Sequence, residues 1–267
     1  MVSPAGQTRV SGQVLLPRRR FLAGLGAGAG GLILSGCDAL NENERFRSAL
    51  RFAERLNYAS HRSITGRTEL AREYAPEDMS PVFRANGTTM PDTPDYQRHL
   101  ATRFADWRLI VDGLVARPLS LSLAQIQAMP AREQITRLDC VEGWSAIGKW
   151  AGPQLSLLLD GAGLLPAARF IVFHCADLYG AARAPYYESI DLIDAYHPQT
   201  ILAWRMNDRL LPVAHGAPVR VKLSRQLGYK QAKYIMRIEA RASLESLYGG
   251  KGGYWEDAGD YEWYAGI

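Results

Sequence analysis

Three cysteines, Cys37, Cys140 and Cys175, are the side chains of this 267-residue chain best suited to soft-metal or disulfide chemistry. Cys140 lies in Arg137-Leu-Asp-Cys-Val-Glu-Gly-Trp-Ser145, with Trp150-Ala-Gly152 following. A short strand-like run, Ile135 to Asp139, gives way there to a Gly/Trp/Ser loop, the kind of rim that carries functional groups. A thiolate at that place suits a single metal ligand. The same thiol could pair with Cys175 in an oxidising compartment, and spacing leaves both readings open. The five histidines show no paired metal-ligand spacing, and neither H-E-x-x-H nor C-x-x-C occurs, which removes the common zinc and haem patterns.

The elements that must position these residues begin after an address label. Arg18-Arg19-Arg20-Phe21-Leu22, an apolar Gly/Ala-rich run from Ala23 to Leu34, and Leu34-Ser35-Gly36-Cys37 resemble a twin-arginine export signal joined to a bacterial lipoprotein box. The run is about a dozen residues, short of the roughly 20 needed to cross a bilayer. Cleavage before Cys37 would make that residue the lipidated terminus, and Asp38 resembles an inner-membrane retention signal. Residues 1–36 hold four arginines and no acids, so 27 basic residues would then face 27 acidic ones and the net charge of +4 would fall to zero. A balanced domain lacks the excess Lys and Arg that nucleic acid binding requires.

The remaining chain is long enough to bury a core without staples. Phe46, Ala49, Leu50, Ala53 and Leu56 recur at helical spacing, which predicts an amphipathic packing helix from Glu44 to about Tyr74, broken near Gly66. A proline-punctuated connector follows. Asp106–Gly113 reads as a strand ending in an Asp-Gly turn, Leu119–Met129 as a short strand leading into a helix, and Leu155–Ala162 as an apolar helix. Arg169–Cys175 reads as a buried strand, and Val219–Leu223 and Tyr234–Ile238 as half-buried ones. This irregular alternation predicts an α+β fold.

Several blocks in order carry a family resemblance: Val111-Asp-Gly113 with Pro118, Cys140-Val-Glu-Gly-Trp-Ser145, Trp150-Ala-Gly152 with Leu155, His197-Pro198, Leu211-Pro212, His215-Gly-Ala-Pro-Val-Arg220 and Gly228-Tyr-Lys-Gln-Ala-Lys233. From about Asn86 to Ile267 the chain resembles the sulfite oxidase superfamily of molybdopterin oxidoreductases, and within it the branch of periplasmic methionine sulfoxide reductase catalytic subunits. The resemblance implies a sulfite oxidase-type molybdopterin-binding fold, with mixed sheets, flanking helices and a preceding amino-terminal helix. It divides the chain into residues 1–36 (signal), 37–85 (helical segment and linker) and 86–267 (cofactor domain).

The same resemblance makes Cys140 the molybdenum ligand and places Asn86, Cys175, His215, Arg220, Gln231, Ala232 and Lys233 around a Mo-molybdopterin cofactor. Arg220 and Lys233 would hold its phosphate, where a forked guanidinium and a point charge both suit a dianion. The family's reductase branch has asparagine at His215 and threonine at Cys175, so both positions depart from its pattern. The implied activity is sulfoxide reduction by oxygen-atom transfer, on a small or protein-bound sulfoxide. Electrons would come from a membrane haem protein linked to quinones. Sulfite oxidation, turnover of another S-oxide or N-oxide, and a non-catalytic binding lipoprotein are the alternatives, with the acid Glu142 beside the metal ligand disfavouring sulfite. The aromatic tail Gly252–Tyr264 is expected either to be stapled over the core by burying its rings or, with Tyr186, Tyr187 and Glu188, to form a substrate rim that includes Trp263.

Overall fold

A computed structural model describes residues 43–267. The export-signal residues and Cys37 lie outside the described residues. By contacts the chain divides into two units, residues 1–57 and Tyr58–Ile267. In chain order the elements are α1 (Glu44–Ile64), α2 (Pro94–Ala101), β1 (Arg108–Gly113), β2 (Leu119–Ser122), α3 (Leu123–Gln127), β3 (Ala131–Cys140), β4 (Trp144–Pro153), α4 (Leu155–Ala162), β5 (Phe170–Tyr179) and β6 (Ala184–Asp191). There follow α5 (Leu192–Ala195), β7 (Ile201–Ala203), β8 (Arg205–Met206), β9 (Arg209–Leu210), β10 (Arg220–Lys222), β11 (Ile235–Arg241) and α6 (Tyr254–Gly259).

Three sheets result: β2-β1-β11-β5-β6, in which only β1 and β11 run parallel, β3-β4-β8-β9, and the pair β10-β7. This is the expected mixed α+β arrangement. The main core lies between the five-stranded sheet and α4, whose Leu155, Leu158, Leu159 and Ala162 fall at helical spacing and are all buried. Each such leucine contributes roughly 1.5–3 kcal/mol of apolar transfer. Gly163, in the left-handed region at φ +69°, ends that helix. Among the described residues no helix is long and apolar enough to cross a membrane.

Three expectations are corrected. On α1, Phe46, Leu50 and Leu56 are exposed, so their spacing does not mark a buried stripe. Trp144 and Ser145 are strand residues and not loop, because a three-residue turn suffices to reverse the chain. The strand around Arg220–Lys222 is buried throughout and not on alternate residues, so two cations lie inside the protein.

Candidate active site

Cys140 is the last residue of β3 and pairs directly with Trp144, the first of β4. Between them Val141, Glu142 and Gly143 make the turn, closed by the Gly143 amide donating to the Cys140 carbonyl at 3.0 Å. Gly143 sits at φ +88°, which a side chain would strain. The hairpin thus presents the thiol at the rim of a sheet. Burial pushes the Cys140 thiol above its ordinary range, and the Glu142 carboxylate adds to the effect. Gly152 closes the Trp150-Ala-Gly152 block by letting β4 cross β7: a Cβ there would collide with the Leu202 carbonyl and reach within 2.9 Å of the Ala203 Cα.

A cavity of about 250 Å³ opens beside Cys140. Its polar lining includes Asn86, Asp177, Gln231 and Lys233, and its aromatic wall comprises Tyr179, Tyr186, Tyr229, Trp255 and Tyr261. The ladder between β5 and β6 is irregular from His174 to Leu178, the stretch that carries Cys175 and Asp177. Asp177 is only 2% exposed, and its Oδ1 has no hydrogen-bond partner. Burial raises its carboxyl to about 6 against the opposing influence of Thr88 and Lys233.

Behind the cavity lies a layer of buried cations. Arg220 Nη1 and Nη2 donate at 3.1 Å to the carbonyls of His215 and Gln231, while its Nε has no partner. Lys233 Nζ donates to the carbonyls of Asn86 (2.6 Å), Ala214 (3.1 Å) and Thr88. Burial lowers Lys233 to about 7 and Arg220 to about 10, and the guanidinium depresses Lys233 further. Burial likewise lowers His215 to about 4, with Arg220 and Lys233 assisting, so its ring is neutral at neutral pH. That ring packs edge-on against Phe83 at 5.7 Å.

Of the residues singled out in the sequence, Asn86, Cys140, Gln231 and Lys233 therefore line one cavity. Arg220 and His215 stand behind them, joined through backbone carbonyls. Ala232 is buried in the main core. Cys175 is partly buried, has a free thiol 3.9 Å from the Phe173 carbonyl, and is pushed well up by burial. Cys140 is likewise a free thiol. The expected rim is only partly right. Tyr186 lines the cavity, but Trp263 donates its Nε1 hydrogen to Ser189 Oγ at 2.8 Å and packs on Phe170, while Tyr187 turns to Tyr248 and Asp257. Trp255 and Tyr261, stacked at 5.6 Å, take the rim position.

Asp177, Tyr179 and Tyr229 line the cavity as well, and sequence reading did not single them out as site residues. Asp177 and Tyr179 follow Cys175 at alternate positions, a signal that could have found them.

The donor set suits a large anionic group better than a bare ion. Among the described residues no three His, Cys, Asp or Glu side chains converge to hold a metal. One thiol beside a cavity backed by unpaired buried cations instead fits a metal that brings its other ligands, and a phosphate, on an organic cofactor. The family defined by the oxidoreductase molybdopterin binding domain matches residues 96–247. A protein of Azospira oryzae named as a protein-methionine-sulfoxide reductase subunit is 35% identical over 94% of this chain and 88% of its own length. The protein-methionine-sulfoxide reductase catalytic subunit MsrP of Campylobacter jejuni is 32% identical over 50% of this chain, and the match spans about half (48%) of that relative. The crystal structure of the sulfane dehydrogenase SoxCD from Paracoccus pantotrophus superposes on 53% of this chain and 40% of its own, with a TM-score of 0.48 and 22% identity. With a matching domain over more than half its length and a relative aligned nearly end to end, this chain belongs to the molybdopterin-binding oxidoreductases.

Proposed function

We propose that this protein is an exported, membrane-tethered reductase that removes the oxygen atom from a sulfoxide, either small or carried on a methionine side chain. The observation that carries this reading is the cavity at Cys140, walled by five aromatic side chains and backed by buried cations. Cys140 would be the protein ligand to molybdenum. Arg220 and Lys233 would hold the cofactor's phosphate, with Asn86, Cys175, His215, Gln231 and Ala232 around the pterin. When bound, the cofactor supplies the two-electron oxygen-atom chemistry.

The chain's own residues then bind and orient the substrate. Aromatic faces suit a methyl–sulfur group, since sulfur packs favourably against rings. Glu142 and Asp177 place carboxylates at the cavity, which favours a neutral sulfoxide over sulfite. The overall reaction consumes two electrons and two protons, turning a sulfoxide into the corresponding thioether and water. The electrons would come from a membrane haem protein linked to quinones; the relatives' names, which make them subunits, support a partner protein. Export by the twin-arginine route, a lipid on Cys37, a linker over 37–85 and a cofactor domain over 86–267 complete the reading, with the periplasm as the location.

The test is molybdenum analysis of the exported protein beside Cys140→Ser, with turnover of a methyl sulfoxide compared with sulfite. Near-stoichiometric metal and sulfoxide turnover in the wild type, with turnover abolished in the variant, are expected. A wild type that turns over sulfite but no sulfoxide would overturn the reading.

A further inference from the structure

Five cations are buried among the described residues; Arg225 is spent on the carbonyls of Gly66, Arg67 and Glu69, and the other four fall into two kinds. Lys230 is fully buried between two carboxylates, 2.6 Å from Glu188 Oε2 and in contact with Glu256 Oε1. Arg220, Lys222 and Lys233 are 0%, 0% and 6% exposed, and none is within ion-pair distance of a carboxylate among the described residues. Their hydrogen bonds all go to backbone carbonyls. A buried charge left without a counter-charge is costly, and a fold that supplies two acids to one lysine has the means to supply them to others.

The three unpaired cations form one row. Arg220 and Lys222 are alternate residues of β10, so both side chains leave the same face of the strand. They reach the ring of Trp150, with the Arg220 guanidinium 5.2 Å and the Lys222 ammonium 6.0 Å from its centroid. Arg220 also adjoins Lys233, since both side chains crowd Gly216: a Cβ there would lie 2.9 Å from Lys233 Cβ and 3.2 Å from Arg220 Cβ. Lys222 Nζ donates only to the Arg137 carbonyl, at 3.1 Å, three residues before Cys140 on β3. The carboxylates acting on the row are Asp139, which is engaged by Arg137 and Ser145, and Asp177.

From this contrast we infer that Lys222 completes, with Arg220 and Lys233, a buried three-cation site that takes a phosphate dianion, and that Lys222 is a further ligand or close counter-charge to the cofactor's phosphate. The inference rests on the cofactor reading given above and adds to it a residue with no place in that reading. A lysine with two unused ammonium hydrogens beside a guanidinium whose Nε is unpartnered matches the several acceptor oxygens of a phosphate.

The alternative role, a brace for the Arg137 carbonyl, is separable by experiment. Lys222→Gln keeps an N–H donor for that carbonyl and removes the charge, and Lys222→Arg keeps the charge. Each is made in the full mature chain and purified both from cells that synthesise the pterin and from cells that do not. In the cofactor-free protein, Lys222→Gln is expected to melt no lower than wild type. Titration with inorganic phosphate should raise the wild-type Tm, with affinity weakened about tenfold in Lys222→Gln, the loss of one charge-assisted contact, and retained in Lys222→Arg. In the cofactor-loaded preparations molybdenum content should fall in Lys222→Gln alone. Wild-type phosphate response and metal content in Lys222→Gln, with or without a lowered Tm, would overturn the inference. A wild type that responds to phosphate yet carries no molybdenum would sink the cofactor reading and leave the anion site standing.

Discussion

Asp177 is a carboxyl whose folded environment favours its neutral form, and that sets a direction for stability against pH. Its pKa rises from 3.8 to about 6 because burial penalises the charge more than Lys233 and Thr88 relieve it. Between those two values the folded state binds more protons than the unfolded state, so stability falls as pH rises through the window. Above it the penalty is complete, at roughly 3 kcal/mol. In cofactor-free protein, Asp177→Asn should therefore be more stable than wild type at pH 7 to 8 by up to that amount, with the difference vanishing below about pH 4. Denaturant unfolding at several pH values checks this, and a variant equally destabilised at every pH would show that the carboxylate is held by contacts and not penalised by burial. Its spacing from Cys175 is a weak signal, because it lies where the β5–β6 ladder breaks and alternation is informative mainly along a regular strand. Lys222 hid differently. Between Val221 and Leu223 it reads as the wet half of a strand, since a period of two cannot distinguish a solvated face from a buried ionic one. Cys140, Gln231 and Lys233 sit in short blocks that carry the family resemblance, Asn86 stands where that resemblance begins, and the fold brings all four to one cavity.

At the scale of elements, the carboxyl-terminal segment shows how composition can suggest a role and assign it to the wrong side chain. Of the five aromatics between Gly252 and Tyr264, Trp255, turned inward by the six-residue helix α6, and Tyr261 line the cavity, while Trp263 is spent on Phe170 and Ser189. Trp255→Ala should raise KM for a sulfoxide about tenfold, the loss of one good apolar contact, with kcat little changed. Trp263→Ala should leave KM alone and cost stability, by roughly 1.5–3 kcal/mol for a large apolar side chain. Equal KM values in the two variants would remove Trp255 from the substrate wall. Among the longer elements, α4 has the bounds its apolar spacing predicts, and β1 and β5 lie where their β-branched and aromatic runs predict them, whereas β6 and α2, eight residues each, carry no such signal. β7, β8 and β9 are two or three residues each and too short to show a period, and in the β3–β4 hairpin the Gly/Trp/Ser composition suggests a loop where Trp144 and Ser145 are already paired strand. Neither could be recovered from local pattern, because tertiary pairing alone defines them.

Across the whole molecule, charge is organised by burial and not by net sign. The one buried cation near the cavity that has acids of its own, Lys230, joins three separate elements: Glu188 on β6, the turn Gly228–Lys230, and Glu256 on α6. Each supplies a neighbouring aromatic to the cavity wall, Tyr186, Tyr229 and Trp255. The triad therefore locks the carboxyl-terminal segment onto the site. Burial pushes Lys230 down, but the two carboxylates outweigh that and hold it above its ordinary value. Glu188 is raised well above the carboxylate range by burial, with Glu256 adding to it and Lys230 only partly opposing. Two acids face one ammonium, so one of them can lose its charge and leave a balanced pair. Glu188→Gln should be nearly neutral in stability, whereas Lys230→Met strands two carboxyl groups in an apolar interior. Breaking a buried pair in this way costs about 3–5 kcal/mol, which for a domain of this size is a fall in Tm of roughly 10 °C. Adding Glu188→Gln and Glu256→Gln to Lys230→Met should recover much of the loss, because no buried charge is then left unpaired. If thermal unfolding shows the triple variant no better than Lys230→Met alone, the lysine contributes through packing, and the triad is not what closes the carboxyl-terminal segment over the cavity.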